Sequence, residues 1–152
     1  MQPTALGISG IVFRVLLVED SPGDVRLTQE AFRDVGRTID LQVAYDGVEA
    51  MAFLRREGKH AGALRPHLIL LDLNLPKMDG REVLAQIKVD EHLRSIPTVV
   101  LTTSESEADI QTSYQLQANC YLCKPVQLDK FEALLKSILD FWLSKSKLPQ
   151  SL

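Results

Sequence analysis

The sequence predicts an α/β fold in which helices cover both faces of a doubly wound, five-stranded parallel sheet. Short apolar runs alternate five times with longer segments whose apolar residues recur at helical spacing. This is the pattern of repeated strand and helix units joined by right-handed crossovers. The run LILL at 68–71 is apolar throughout, as expected of a strand that is buried on both faces of a parallel sheet.

Capping residues indicate where most of the predicted helices begin. Ser21 opens the first helix and Asp46 the second, and either Ser104 or Ser106 opens the fourth. The fifth helix begins after Gln127, which is a weak cap. The predicted strands cover residues 13–18, 41–44, 68–71, 96–101 and 120–122, and the predicted helices end near residues 35, 56, 88, 117 and 145.

The composition is that of a soluble globular protein, with 45% hydrophobic and 24% charged residues. A net charge of -3 and a pI near 5.6 argue against a nucleic-acid-binding module, which normally has a basic face. No apolar run approaches the roughly 20 residues of a membrane helix, and the amino terminus lacks the basic region of a secretory signal. We therefore expect a cytoplasmic protein.

The chain is expected to form one domain over residues 13–145, between an amino-terminal extension at 1–12 and a tail at 146–152. The last helix and the tail leave no room for a DNA-binding output domain. We therefore expect the protein to act through contacts with other proteins rather than on DNA.

Cys120 and Cys123 form a CxxC pair, a spacing that occurs in redox sites and in metal sites. Here the pair lies in a predicted strand, where the two side chains point to opposite faces. No second CxxC or histidine pair completes a metal site in the sequence. We expect both cysteines to be small, inert packing residues.

Polar residues stand at the ends of four predicted strands. They are Glu19, Asp20, Asp72, Thr102 and Lys124. In a doubly wound sheet the carboxyl ends of the strands meet at one rim, which is where ligands bind. Three carboxylates close together need a compensating cation, and all-oxygen ligation suits Mg²⁺, which often shares its shell with a phosphate. The plainer alternative is that these residues only cap the helices that follow.

Four segments resemble the motifs of response-regulator receiver domains from two-component signalling. They are LLVED at 16–20, LILLDLNLPKMDG at 68–80, VVLTT at 99–103 and YLCKP at 121–125. Their order and spacing also agree with that family, and the resemblance covers about residues 13–143. It implies the CheY-like, flavodoxin-like version of the predicted fold, and a signalling protein rather than an enzyme, with self-catalysed phosphotransfer and dephosphorylation only.

The resemblance also assigns roles to the polar strand ends. It implies that Asp72 accepts a phosphoryl group from a phosphohistidine of a sensor histidine kinase, and that Thr102 and Lys124 bind the phosphoryl oxygens. It further implies a cis bond between Lys124 and Pro125. The implied Mg²⁺ ligands are Glu19, Asp20, Asp72 and the backbone carbonyl of Asn74.

The family's switch maps onto Thr102 and Tyr121. The resemblance implies that phosphorylation draws Thr102 inward, so that Tyr121 rotates from an exposed to a buried position. The alternative for Tyr121 is ordinary packing on an edge strand.

Apolar residues outside the core face of the last helix predict an interface. Leu134, Phe141 and Leu143 fall outside the stripe formed by positions 128, 131, 135, 138 and 142. The family commonly dimerises through helix 4, strand 5 and helix 5, so we expect a homodimer, unless the tail or the amino-terminal extension covers these side chains. Leu27 in the first helix is a candidate contact for the kinase.

Within the family, SPGDVRLTQEAF and AYDGVEAMAFLRREG resemble the stand-alone receivers that pair with cyanobacterial phytochromes and related light-sensing kinases. Two other classes of protein fit the sequence less well. A haloacid-dehalogenase-type phosphatase needs a second aspartate where Asn74 stands. A flavodoxin-like cofactor carrier needs a phosphate-binding loop in place of the acidic EDSPGDV.

Overall fold

The computed structural model describes residues 12–149. Five parallel strands form one sheet in the order β2-β1-β3-β4-β5, so the chain reverses its direction of winding after β2. The predicted doubly wound α/β fold is confirmed. The strands are β1 Phe13–Val18, β2 Ile39–Ala44, β3 Leu68–Leu71, β4 Thr98–Thr102 and β5 Cys120–Cys123.

Five α-helices connect and follow the strands. They are α1 Pro22–Arg33, α2 Gly47–Arg55, α3 Gly80–Val89, α4 Glu107–Gln115 and α5 Leu128–Asp140. A short 3₁₀ turn, Gly58–His60, lies in the predicted loop before β3, and a π-helical turn, Phe141–Lys145, extends α5 to the predicted end of the last helix. No helix within residues 12–149 is long and apolar enough to cross a membrane.

Side-chain caps fix the starts of α1 to α4, whereas Gln127 makes no cap hydrogen bond before α5. Ser21 accepts a hydrogen bond from the Asp24 amide at 3.3 Å, and Asp46 accepts one from the Glu49 amide at 2.7 Å. Ser106, rather than Ser104, caps α4. Because each cap satisfies an amide without an intrahelical partner, these residues fix where the chain turns away from the strand ends.

The core consists of two layers, one on each face of the sheet. One layer packs β1, β3 and β4 against α2 and α3, and the other packs them against α1 and α5. All four residues of β3 are fully buried, which confirms that LILL is a central strand. β4 begins at Thr98, two residues later than predicted, because Pro97 has no amide hydrogen for the sheet.

Several sequence-based expectations about burial were wrong. Leu128 is 70% exposed because it is the first residue of α5 and projects beyond the core, whereas Leu139 is buried. Leu134 and Leu143 are partly buried and pack against the α1 and α5 layer, so they do not lie off the core face. Cys123 is exposed because it ends the edge strand, while Cys120 is half-buried.

The predicted cis bond at Lys124-Pro125 is also wrong, since every peptide bond among residues 12–149 is trans. The trans form is the favoured isomer even before proline. With it, the Lys124 amide donates to the Thr102 carbonyl at 2.8 Å. Of the predicted amino-terminal extension, residues 1–11 lie outside the described residues.

The register of the sheet brings the strand ends together. Val18 of β1 and Val100 of β4 both stand beside Leu71 of β3, and Thr102 pairs with Cys123 of β5. The residues that follow these ends therefore share one edge of the sheet. We call this edge the acidic rim, defined by Glu19, Asp20, Asp72, Thr102 and Lys124.

Candidate functional site

A lysine lies at the centre of the acidic rim. The Nζ atom of Lys124 donates to Asp24 Oδ2 at 2.8 Å and to Asp72 Oδ2 at 2.9 Å, and it also bonds Glu19 Oε1. Its side chain is only 5% exposed. Burial lowers the pKa of Lys124, but its bonds to Asp24 and Glu19 outweigh that effect and raise the pKa above the ordinary value. The ammonium group is therefore charged at neutral pH.

Three carboxylates of the rim form a group that suits a metal ion. One ligand oxygen each from Glu19, Asp20 and Asp72 lies within 4.8 Å of the others. Glu19 is buried and Asp20 is exposed, so the group opens to solvent on one side. Hard oxygen ligands of this kind, with room for water, match the preferences of a small divalent cation.

The raised pKa of Glu19 also supports a divalent cation at this position. Burial raises its pKa to about 7, although the bond and charge of Lys124 act in the opposite direction. One ammonium group therefore does not fully compensate the buried carboxylate. A divalent cation at this position would relieve the remaining cost, so the residues present fit a metal.

Asp72 follows β3 directly and is held on both oxygens. Oδ1 accepts a hydrogen bond from the Asn74 amide at 3.2 Å, and Oδ2 accepts one from Lys124. Its own amide donates to the Val18 carbonyl at 3.1 Å. Asp72 is only 7% exposed, and these bonds fix the orientation of its carboxylate before any reaction.

The chain after Asp72 is supported by a close backbone contact. Gly80, the first residue of α3, lies so near Asp72 that a Cβ atom on it would stand 2.2 Å from the Asp72 carbonyl oxygen and 2.5 Å from the Leu73 Cα. The Gly80 amide also donates to the Leu73 carbonyl at 2.9 Å. Only glycine permits this approach, so α3 braces the backbone that carries Asp72.

Thr102 and Tyr121 both contact Ser104, in the loop between β4 and α4. The Ser104 amide donates to the buried Thr102 hydroxyl at 3.4 Å. The Tyr121 hydroxyl donates to the Ser104 carbonyl at 2.9 Å, and its ring packs against the α2 and α3 layer. Tyr121 is half-buried in this structure, and its rotation on phosphorylation stays a prediction.

Two contacts of the site were missed by sequence reasoning. The sequence assigned no role in the site to Asp24, but its carboxylate accepts a hydrogen bond from Lys124. Ser104 was considered mainly as a cap, but it joins Thr102, Tyr121 and Asp109. The available signal for Asp24 was its place in the first turn of a helix that begins at the rim.

The residues predicted for interfaces, and Asn74, differ in their exposure. Leu27 is partly buried against the α1 and α5 layer, as are Leu134 and Leu143. Phe141 is 52% exposed and meets Trp142 edge-on at 5.1 Å. Of the three residues predicted for a dimer surface, Phe141 is therefore the one that is freely accessible. Asn74, whose carbonyl was predicted as a metal ligand, is exposed beside the rim.

The carboxyl edge of this doubly wound sheet carries three carboxylates, a threonine and a lysine. This combination defines the phosphoacceptor class of signalling domain. The chain belongs to the response regulator receiver domain family, whose model matches residues 15–136. It is 50% identical over 135 residues to response regulator Rcp1 of Synechocystis, covering 89% of this chain and 92% of that protein.

Solved structures agree with this assignment. The phosphorylated cyanobacterial phytochrome response regulator RcpA superimposes with a TM-score of 0.90 at 51% identity, covering 92% of this chain and all of that one. The Mn²⁺-bound form of Rcp1 gives a TM-score of 0.88 at 48% identity, covering 91% and 99%. The bacteriophytochrome response regulator AtBRR gives 0.71 at 39%, covering 92% and 99%.

These findings determine the general activity. Receiver domains accept phosphoryl groups in two-component signalling and bind a divalent metal, and receivers of phytochrome response regulators partner with sensor histidine kinases. The chain is a response regulator with a receiver domain. The alternative of a haloacid-dehalogenase-type phosphatase receives no support from the comparisons.

Proposed function

We propose that Asp72 accepts a phosphoryl group from a phosphohistidine of a sensor histidine kinase, in a Mg²⁺-dependent reaction. The observation that carries this proposal is the position of the Asp72 carboxylate, which ends a buried strand between Lys124 and the carboxylates of Glu19 and Asp20. A buried, oriented carboxylate next to a fixed cation is suited to attack phosphorus.

The reaction needs little beyond positioning. An Asp72 oxygen attacks the phosphorus, the bond from phosphorus to the histidine nitrogen breaks, and its electron pair returns to the imidazole. The product is an acyl phosphate on Asp72. Lys124 is within reach of the new phosphoryl oxygens, since it already bonds Asp72 at 2.9 Å. Thr102, buried at the end of β4, offers its hydroxyl as a further donor.

Magnesium would be held by Glu19, Asp20, Asp72 and the backbone carbonyl of Asn74. When bound, it neutralises the carboxylates and the charge that develops on the transferred group. Self-catalysed phosphotransfer and dephosphorylation are the only chemistry that we assign to the chain.

The kinase is proposed to be a phytochrome or a related light-sensing histidine kinase, because relatives named as phytochrome response regulators match most of the chain. Docking is proposed to use α1, including Leu27. The apolar side chains of Val126 and Leu128, which follow Lys124 and are 98% and 70% exposed, support a protein contact beside the rim. The cytoplasm, where such kinases present their phosphohistidine, is the proposed location.

We also propose a homodimer through α4, β5 and α5, which signals by protein contacts without binding nucleic acid. Exposed aromatic side chains on this face support it, namely Tyr114 and Phe141 at 48% and 52% exposure. Sedimentation with and without beryllofluoride tests it. Wild type is compared with Phe141→Glu, which changes the proposed interface, and with the control Val89→Glu, at an exposed position on α3. A monomer at every concentration in both conditions contradicts the proposal.

The phosphoacceptor is tested by intact mass. The protein is incubated with acetyl phosphate, and separately with an autophosphorylated cyanobacterial phytochrome kinase, with and without Mg²⁺. We expect a hydroxylamine-labile phosphoryl adduct that requires Mg²⁺ and is absent in Asp72→Asn. An adduct that persists in Asp72→Asn, or no adduct from either donor, would overturn the assignment.

A further inference from the structure

Asp24 adds a fourth carboxylate next to the acidic rim, and the phosphoryl transfer proposed above does not use it. It occupies the third helical position of α1, after the cap Ser21. An acidic residue at this position commonly reaches back to the backbone amide of the cap. In this structure the Ser21 amide donates instead to Glu19 Oε2 at 3.1 Å. The carboxylate of Asp24 is thereby released from capping, and it bonds Lys124 at 2.8 Å.

An ammonium group has three hydrogens to donate, and Lys124 has three carboxylate partners, one just after β1, one on α1 and one just after β3. Two of these partners, Glu19 and Asp72, belong to the group of carboxylates that suits a metal ion, and Asp24 does not. A divalent cation bound there would compete with Lys124 for the oxygens of Glu19 and Asp72, and it would repel the ammonium group. Asp24 would then be the one carboxylate partner that Lys124 keeps.

We propose that Asp24 is the positioning residue for Lys124, holding the ammonium group beside Asp72 while the metal occupies the other carboxylates. The inference rests on the proposed function, because it concerns the same phosphoryl transfer. Asp24 acts through Lys124 and does not itself touch the phosphoryl group. Its side chain is 31% exposed, so the bond lies on the solvent side of Lys124.

The alternative is purely structural, since an acidic residue in the first turn also stabilises a helix through its dipole. The two roles predict different effects of removing Asp24, and only the positioning role requires Lys124 to be present. A structural role changes the free energy of unfolding and leaves phosphotransfer by the folded protein unchanged. A positioning role changes the maximal rate of phosphotransfer and disappears when Lys124 is removed.

The test is a double-mutant cycle on the full chain. The rate of adduct formation from acetyl phosphate is measured by intact mass over a range of Mg²⁺ concentrations for wild type, Asp24→Asn, Lys124→Ala and the double variant. We expect Asp24→Asn to lower the rate at saturating Mg²⁺ about tenfold, the effect of losing roughly 1.4 kcal/mol of transition-state stabilisation. In the Lys124→Ala background, Asp24→Asn should have no further effect.

Asp34→Asn at the other end of α1 is the matched control, because it is exposed and should leave the rate unchanged. Asp24→Glu keeps a carboxylate and should lose less than Asp24→Asn. Equal rates for wild type and Asp24→Asn would overturn the proposal, as would an equal loss in both Lys124 backgrounds. A higher Mg²⁺ requirement with an unchanged maximal rate would also overturn it, by making Asp24 a metal ligand. A wild-type protein that forms no adduct would instead contradict the proposed function itself.

Discussion

Arg81 at the start of α3 pairs with Asp109 in the first turn of α4, with its Nε and Nη2 atoms 3.0 and 2.7 Å from Asp109 Oδ1. The other oxygen, Oδ2, accepts a hydrogen bond from the Ser104 hydroxyl at 2.6 Å. The Ser104 hydroxyl and the Arg81 guanidinium hold the pKa of Asp109 below its ordinary value. A continuous set of polar contacts therefore connects α3, which braces Asp72, to Ser104, whose carbonyl accepts a hydrogen bond from the Tyr121 hydroxyl.

This connection predicts that Arg81→Leu moves the Tyr121 hydroxyl away from the Ser104 carbonyl. The pair is near the surface, so its loss should change the free energy of unfolding by less than about 1 kcal/mol. The orientation of Ser104 depends on Asp109, and the effect should therefore appear at Tyr121. The measurement is the fluorine spectrum of protein labelled with 3-fluorotyrosine, with the Tyr121 signal assigned from Tyr121→Phe. Arg26→Leu, which removes an exposed ion pair within α1, is the control, and an identical Tyr121 signal in all three proteins would refute the connection.

Removing the Tyr121 hydroxyl should weaken the fold measurably. Tyr121→Phe deletes the hydrogen bond to the Ser104 carbonyl, and such a bond contributes about 1 kcal/mol. Urea unfolding followed by circular dichroism gives the difference. Tyr45→Phe, at a position where the side chain is 48% exposed, should be within about 0.5 kcal/mol of wild type. Equal losses in the two variants would mean that the bond to Ser104 contributes nothing.

The close approach of Gly80 predicts a large effect of a single methyl group. Gly80→Ala places a Cβ against the backbone of Asp72 and Leu73, so the segment carrying Asp72 must move, at a cost of about 1–3 kcal/mol. We expect both lower stability and slower adduct formation at Asp72. Gly62→Ala is the matched control, because a Cβ there meets nothing within 4 Å. Normal phosphorylation of Gly80→Ala would show that α3 does not brace the site.

Lys88 predicts a pH dependence that is separate from the rim. Its Nζ donates to the Arg94 and Ile96 carbonyls and to Asn119 at 2.9, 3.2 and 3.0 Å, and burial lowers its pKa from 10.5 to about 8. Between these two values the unfolded chain binds more protons at this position than the folded chain. The free energy of unfolding therefore rises with pH across this window.

The measurement for Lys88 is urea unfolding at pH 7.5 and pH 10. The stability of wild type relative to Lys88→Met should increase between these pH values, because the mutant lacks the titrating group. Lys136→Met, at an exposed position on α5, should show no such trend. A constant difference between wild type and Lys88→Met across the range would count against the lowered pKa.

The fold was predictable because the local sequence indicates which segments are buried and where the helices begin. LILL has no polar residue, so it had to be a central strand, and Ser21 and Asp46 could cap only the helices that follow them. The rim followed from the rule that parallel strands end at the same edge. Boundaries shifted by about two residues in places: β4 begins later because of Pro97, and β2 begins at Ile39 rather than at residue 41.

The errors arose where an answer depended on contacts between elements. Helical spacing alone did not show that Leu134 and Leu143 reach the core or that Leu128 projects beyond it, because those outcomes depend on how α5 rotates against the sheet. The bond from Asp24 to Lys124 joins residues a hundred positions apart. No local pattern indicates such a bond.

The position of Trp142 has a practical consequence. It is the single tryptophan of the sequence, and it borders a groove beside Phe13 and His67, at the amino ends of the strands. The indole therefore lies at the opposite edge of the sheet from Asp72. Its fluorescence should follow unfolding while remaining insensitive to metal or phosphoryl chemistry, so the intact protein carries an optical reporter of its fold that the site does not disturb.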